Sequence, residues 1–147
     1  MTTIEATVFI DRPVEDVFAF VGDQHNAPRW QKGLVEVRKT TEGPIGLGTR
    51  HDFSRKVMGR MMVAGNEYTA YELNKRIAFK TTSGPMKLQA CYRTEASGTG
   101  TQLTCTMELD KGSGLFGLLL PLIVRSIRKD MRLNFVTLKG LLEQKTA

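Results

Sequence analysis

Cysteine and histidine are scarce in this chain, with two of each. Cys91 and Cys105 are too few for a disulfide scaffold, and no ligand cluster surrounds them. His25 and His51 stand in no spacing with Cys, Asp or Glu that suits a metal, so neither a metal nor another cofactor is expected. No Ser-His-Asp or Cys-His arrangement is legible. Long apolar runs are missing too. The longest, Leu115 to Val124, is broken by Gly117 and Pro121 and falls far short of the ~20 residues of a membrane span. Met1 to Ile10 lacks the basic start and apolar run of a signal peptide. Acidic residues are outnumbered, 15 against 21 basic ones, which leaves a net charge of +6. Such an excess suits nucleic acid, an anionic membrane or an acidic ligand, but it also serves simply to keep a surface soluble. Aromatics interleaved with the basic residues, as single-stranded nucleic acid would favour, are absent from the basic helix face described below. These exclusions leave a cytoplasmic protein, monomer or homodimer. It is expected to bind no nucleic acid and to make at most peripheral contact with a membrane.

What is present fits one domain over residues 1–147. A chain of this length buries roughly 68–70% of the surface its unfolded form exposes, enough for a core without disulfides or metals. Ile4, Ala6, Val8 and Ile10 alternate within residues 2–11, which predicts a strand. Arg12-Pro13 then suits a first helical turn, and Val14, Val17, Phe18 and Val21 repeat at helical spacing. Gly22-Asp23 ends that helix, and Asn26 is placed to cap a second short one through Trp30. Leu34–Thr40 reads as a strand with Val35 and Val37 on one side. A meander follows, with turn signals at Met58-Gly59, Asn74-Lys75, Ser83-Gly84 and Gly98-Thr99. The order is strand, two short helices, about six strands and a long helix, an α+β pattern in which an antiparallel sheet grips one helix.

Two-residue turns at those four sites predict which residues share the inner face. Leu103, Cys105, Met107 and Leu109 form the apolar face of the last strand. Tyr92 then lies opposite Cys105 and Ala90 opposite Met107, with Met86 and Leu88 on the same face. Crossing the remaining turns places Thr81, Phe79 and Ile77 inside, then Ala70, Tyr68, Asn66, Ala64 and Met62, then Val57, Arg55, Phe53 and His51. Cys91 and Cys105 fall on opposite faces and cannot bridge. His51 lies opposite Asn66, and Tyr68 opposite Thr81, so a polar cluster sits inside an apolar concavity. A one-residue slip in any turn would turn every residue upstream to the other face.

The long helix is expected over roughly Ser113 to Gln144. Phe116, Leu120, Ile123 or Val124, Ile127, Met131, Phe135, Leu138 and Leu142 form one stripe. Arg125, Arg128, Lys129, Arg132 and Lys139 are assigned to the opposite side. Around Leu115–Val124 the helix is apolar on every side, which calls for a cover. Loops of the same chain, a ligand, another subunit or a membrane would each serve.

The chain resembles the helix-grip superfamily of START lipid-transfer domains and the birch-pollen allergen. The branch it is most similar to is the polyketide cyclase/dehydrase and lipid-transport-like proteins (SRPBCC). The segments that carry the resemblance are Ile10-Asp11-Arg12-Pro13-Val14-Glu15-Asp16-Val17-Phe18, Pro28-Arg29-Trp30, Gly43-Pro44-Ile45-Gly46-Leu47-Gly48-Thr49, Gly98-Thr99-Gly100-Thr101 and Leu138-Lys139-Gly140-Leu141-Leu142-Glu143. It implies a helix-grip fold, a curved antiparallel sheet of about six or seven strands wrapped around the C-terminal helix. It implies function only by class, because this fold hosts carriers, cyclases, hydrolases and interaction modules. In the family a loop like Gly43–Gly48 joins two strands. Without a following Lys-Ser/Thr it is turning room for the backbone, not a phosphate cradle.

The leading expectation is a hydrophobic small-molecule ligand, lipid, isoprenoid or polyketide-like, between sheet and helix. Phe53, Met62, Phe79, Met86, Leu88, Met107, Met131 and Phe135 supply the apolar wall, with methionines that adapt to several shapes. Asn66, Tyr68, Thr81, Tyr92 and His51 supply the polar groups that fix orientation. Trp30 and Phe20 are placed at the entrance, and Arg55 near a hairpin end, where it snorkels to water or meets a ligand carboxylate. The alternative is a cyclase/dehydratase with His51 as acid or base and Tyr68 and Asn66 holding an enolate oxygen. No second base is visible for it. A third possibility is an interaction module that contacts a protein or membrane through the apolar helix start.

Overall fold

A computed structural model describes residues 2–57, 59–84, 86–110 and 114–144. Seven strands form one open sheet in the order β1-β7-β6-β5-β4-β3-β2, antiparallel at every pairing. They are β1 (Thr2–Ile10), β2 (Leu34–Lys39), β3 (Arg50–Val57), β4 (Arg60–Glu72), β5 (Arg76–Ser83), β6 (Leu88–Ser97) and β7 (Gly100–Leu109). Helix α1 (Val14–Gly22) and a 3-10 turn (Gln24–Arg29) follow β1, and the long helix α2 (Gly114–Gln144) ends the fold. This is the expected helix-grip architecture.

Local chemistry explains the elements. Ile4 and Ile10 of β1 are fully buried, and Ala6 and Val8 pack against the same cluster. Glu15 and Asp16 occupy the first turn of α1, where the helix dipole favours negative charge. Val17, Phe18 and Val21 turn inward. The 3-10 turn is capped by Asp23, whose Oδ1 accepts from the His25 backbone N–H at 3.1 Å. Asn26, the expected cap, instead donates from Nδ2 to the Phe20 carbonyl. In β2 a bulge between Leu34 and Glu36 shifts the register, so Leu34 and Val37 are buried while Val35 is exposed.

The pairing of β3 with β4 is the predicted one, His51 with Asn66, Phe53 with Ala64 and Arg55 with Met62. The β4–β5 pairing departs from the expectation in an instructive way. Glu72 pairs with Arg76, so the turn has three residues, and Asn74 takes the positive φ of 61° that such a turn needs. The extra residue flips the face, and Tyr71, not Ala70, packs against Phe18 with ring centroids 5.5 Å apart. An irregularity between Tyr68 and Ala70 flips it back. Tyr68 therefore lies opposite Phe79, and Asn66 opposite Thr81. Beyond Ser83 the connection is longer than two residues, so Ile77 meets Tyr92 and Phe79 meets Ala90. Met86 lies ahead of β6 rather than in it.

The Gly43–Thr49 segment joins β2 to β3. The Gly48 N–H donates to the Tyr68 carbonyl, and the Tyr68 N–H to the Thr49 carbonyl, with Gly48 at φ +84°. That backbone geometry is the turning room anticipated for the loop.

Helix α2 is continuous through Pro121. Met131, Phe135, Leu138 and Leu142 bury its core stripe, and Arg125, Arg128, Lys129 and Arg132 face out. Lys139 does not join them. Its Nζ donates to the Phe9 carbonyl at 2.7 Å and to Glu143, tying α2 to β1. At the other end Leu118 and Leu122 are 79% and 65% exposed, so no loop among the described residues covers them. The side chain of Phe116, the predicted start of the stripe, lies outside the described residues. No described helix is long and apolar enough to cross a membrane.

Candidate functional site

Sheet, 3-10 turn and α2 do not close on one another completely. Two adjoining hollows remain. One, of about 240 Å³, lies against α2 and is lined by Met86, Leu88, Met107, Ile127, Met131 and Phe135, with Lys32, Asp130 and Asn134 at its polar edge. The other, of about 130 Å³, lies against β3–β5 and is lined by Val21, Ala27, Phe53, Ala64, Phe79 and Thr81, with Gln24 and Asn66. Trp30, Gln31, Arg55, Leu88, Tyr92 and Met107 belong to both walls. The larger depression along the β5–β6 connection is open and lined by Lys80, Lys87, Glu108 and Asp110, so it is a wet surface groove rather than a ligand cavity.

Most of the predicted site residues therefore meet. Trp30, Phe53, Arg55, Asn66, Phe79, Thr81, Met86, Leu88, Tyr92, Met107, Met131 and Phe135 line one hollow or both. Met62, His51 and Tyr68 line neither. Met62 is half-buried opposite Arg55 in the β3–β4 pairing. Phe20 packs in the core and meets the Arg29 guanidinium over its ring, away from the hollows.

The polar groups have distinct roles. Asn66 Nδ2 donates to Gln24 Oε1 at 3.2 Å, in a buried pair. Asn66 Oδ1 and Gln24 Nε2 have no partner among the described residues. One acceptor and one donor, on two residues that line the inner hollow, are thus buried and unpaired, each costing about 1–3 kcal/mol if left so. Tyr68 is fully buried and donates its hydroxyl to the Gly22 carbonyl at 2.8 Å, and burial pushes its phenol up. It is committed to holding α1 against the sheet. Burial likewise raises the Tyr92 phenol, which stays a neutral O–H in both walls.

His51 is fully buried, and neither ring nitrogen has a partner among the described residues. Its ring sits 5.4 Å from that of Tyr68, 5.6 Å from that of His25 and 6.3 Å from that of Phe53. Burial, and secondarily the neighbouring His25, lower its pKa to about 4, so it is neutral at pH 7. Asp52, its chain neighbour, pairs with Arg38 on the other face, as strand alternation requires.

Arg55 turns inward, contrary to the expected snorkelling. Its Nη2 donates to Gln31 Oε1 at 2.9 Å, and burial lowers its pKa, offset by Tyr92 and Asp130. Gln24 and Gln31 escaped sequence reading because the 3-10 turn and the residues just after it have neither strand alternation nor a helical stripe. Among the described residues no cluster of His, Cys, Asp or Glu could hold a metal. Cys91 and Cys105 are free thiols.

An antiparallel sheet closed by a long C-terminal helix, with an apolar hollow between them, defines a helix-grip protein. Over residues 1–143 the chain matches the model of the polyketide cyclase / dehydrase and lipid transport family, and it belongs to that family. Solved structures share its fold at low identity. The protein TTHA0849 from Thermus thermophilus is 17% identical with a TM-score of 0.83, over 99% of this chain and 100% of that one. A START superfamily protein from Mycobacterium smegmatis is 14% identical with a TM-score of 0.78, over 97% of each chain. The Zhui aromatase/cyclase from a Streptomyces species is 17% identical with a TM-score of 0.78, over 99% of this chain and 96% of that one. No curated protein sequence matches the chain.

Proposed function

We propose that this protein binds a hydrophobic small molecule, lipid, isoprenoid or polyketide-like, between its sheet and α2. The observation that carries this reading is the pair of adjoining hollows, the inner one lined by Gln24 and Asn66, which keep a buried donor and acceptor unpaired. Together the hollows reach the low end of the roughly 300–1,000 Å³ typical of small-molecule sites. A ligand hydroxyl or carbonyl at Asn66 and Gln24 would satisfy groups that the chain leaves open. The protein acts as one domain. Its two free thiols fit a reducing compartment such as the cytoplasm.

Native mass spectrometry of the purified protein is expected to show a one-to-one mass adduct that organic solvent removes. Leu88→Trp, which fills the wall common to both hollows, is expected to abolish the adduct. A folded protein that carries no adduct and takes up no apolar compound would overturn the reading.

One observation favours a second reading, a cyclase/dehydratase. His51 is a neutral imidazole with both nitrogens unpaired beside the Asn66 end of the site, and one protein of like fold is an aromatase/cyclase. It would require the enclosed ring to gain access to the hollow. Turnover of a poly-β-ketone thioester that His51→Ala abolishes would support it. Unchanged turnover, or none, would remove it.

A further inference from the structure

Among the described residues, Arg55 is the one cation in the wall that both hollows share. It comes from β3, whose alternation sends His51, Phe53 and Arg55 to the inner face, and the β3–β4 register sets it beside Met62. A guanidinium carries five N–H donors. One of them is used, on Gln31 Oε1. Gln31 is neutral and brings no countercharge to it. Among the described residues no carboxylate lies within ion-pair distance of Arg55. Asp130 faces the same hollow from α2 and acts on Arg55 at longer range, but stands beyond ion-pair distance.

A half-buried cation against Trp30, Leu88, Tyr92 and Met107 is costly unless an anion completes it. Surface arginines meet this need with water. Here Arg55 stands in a largely apolar wall, beside a space large enough for a ligand. A planar oxyanion matches that fork with two parallel hydrogen bonds.

We propose that the ligand is an apolar molecule with a single oxyanion head, of carboxylate type, seated on Arg55. Its apolar body fills the α2-side hollow among Met86, Ile127, Met131 and Phe135. The inference rests on the reading of the hollows as a ligand site and adds the charge class of what enters.

The test uses two dyes of the same aromatic skeleton. 1-Anilinonaphthalene-8-sulfonate carries an oxyanion, and N-phenyl-1-naphthylamine lacks it. Fluorescence titration of the full chain is compared with Arg55→Gln and Arg55→Lys, each checked for native circular dichroism. The wild type is expected to bind both dyes and to prefer the sulfonate. Arg55→Gln is expected to weaken sulfonate binding about 10- to 100-fold, the range of one charge-assisted hydrogen-bonded pair, and to leave the neutral dye within about twofold. Arg55→Lys is expected to fall between them, because it keeps the charge and loses the fork.

Equal sulfonate affinity in the wild type and a folded Arg55→Gln would overturn the anion inference and leave the hollow reading standing. No binding of either dye by the folded wild type would overturn the hollow reading itself. Should Arg55→Gln fail to fold, Arg55→Lys decides alone. A sulfonate affinity equal to that of the wild type, with no change in its preference over the neutral dye, would sink the fork on which the inference depends.

Discussion

His51 and Tyr68 adjoin in the interior, yet their chemistry separates them. The lowered pKa of His51 makes it a pH sensor for stability whatever else it does. In the unfolded chain an imidazole titrates near 6.5. In the fold it titrates at about 4, chiefly because burial disfavours the cation. Between those values the unfolded state binds more protons, so acid favours unfolding. The contribution is complete above pH 6.5, is lost as pH falls toward 4, and amounts to about 3 kcal/mol at most. Urea unfolding midpoints measured from pH 7 to pH 4 are expected to decline through that window, and His51→Gln to flatten the decline. Identical slopes for both proteins would place the sensitivity elsewhere. Tyr68 predicts the opposite profile. Tyr68→Phe strands the buried Gly22 carbonyl and is expected to cost about 1–3 kcal/mol. Because Tyr68 lines neither hollow, ligand affinity in the folded variant should stay within about twofold. A tenfold loss would return Tyr68 to the binding site.

At the level of elements, close approach of strands sets the tolerances. Gly100 opens β7 directly beneath the end of β1. A Cβ there would lie 2.5 Å from the Ile10 carbonyl oxygen and 2.5 Å from Phe9 Cζ. A ring can swing aside, but a carbonyl in a ladder cannot. Gly100→Ala is therefore expected to lower stability by about 1–3 kcal/mol, as overpacking does. A neutral result in thermal unfolding would mean that β1 shifts freely. The exposed start of α2 should behave otherwise. Leu118→Asp or Leu122→Asp touches no core, so stability should move by no more than about 0.5 kcal/mol. Element order, the number of strands and the helix stripe were legible because alternation and helical spacing persist over many residues. The β3–β4 pairing was legible for the same reason. Ala64, Asn66 and Tyr68 on β4 were read on the correct face only because two one-residue departures cancel, while Ala70, between those departures, was not. The three-residue turn after Glu72 flips the face, and the irregularity after Tyr68 restores it. The bulge in β2 has no such compensation, and there the reading set Val35 on one side with Val37, whereas Leu34 is the residue buried with Val37. Apolar walls were legible on the same grounds. Gln24 and Gln31 were not, because their position depends on how a short turn docks against the sheet.

For the whole molecule, the incompletely filled interior would link binding of the proposed ligand to folding. Protein interiors are close-packed, and atoms lining a void lose dispersion contacts on one side. A chain that leaves two adjoining hollows and two unpaired amide atoms among buried residues forgoes stability that a ligand can restore. Only the folded state presents the hollows, so a ligand stabilises it by mass action. The gain is about 2.7 kcal/mol at a hundredfold excess over Kd. Protein stripped with organic solvent and refolded should therefore unfold at a lower temperature than protein as purified. Adding back the extracted material should restore the midpoint. Leu88→Trp divides this effect from a general one. By filling the common wall it should raise the midpoint of the stripped protein and abolish the response to the extract. A midpoint that rises equally in both proteins would mean that the compound acts on the surface. A midpoint that does not move in the wild type would mean that the hollows hold no ligand from the extract.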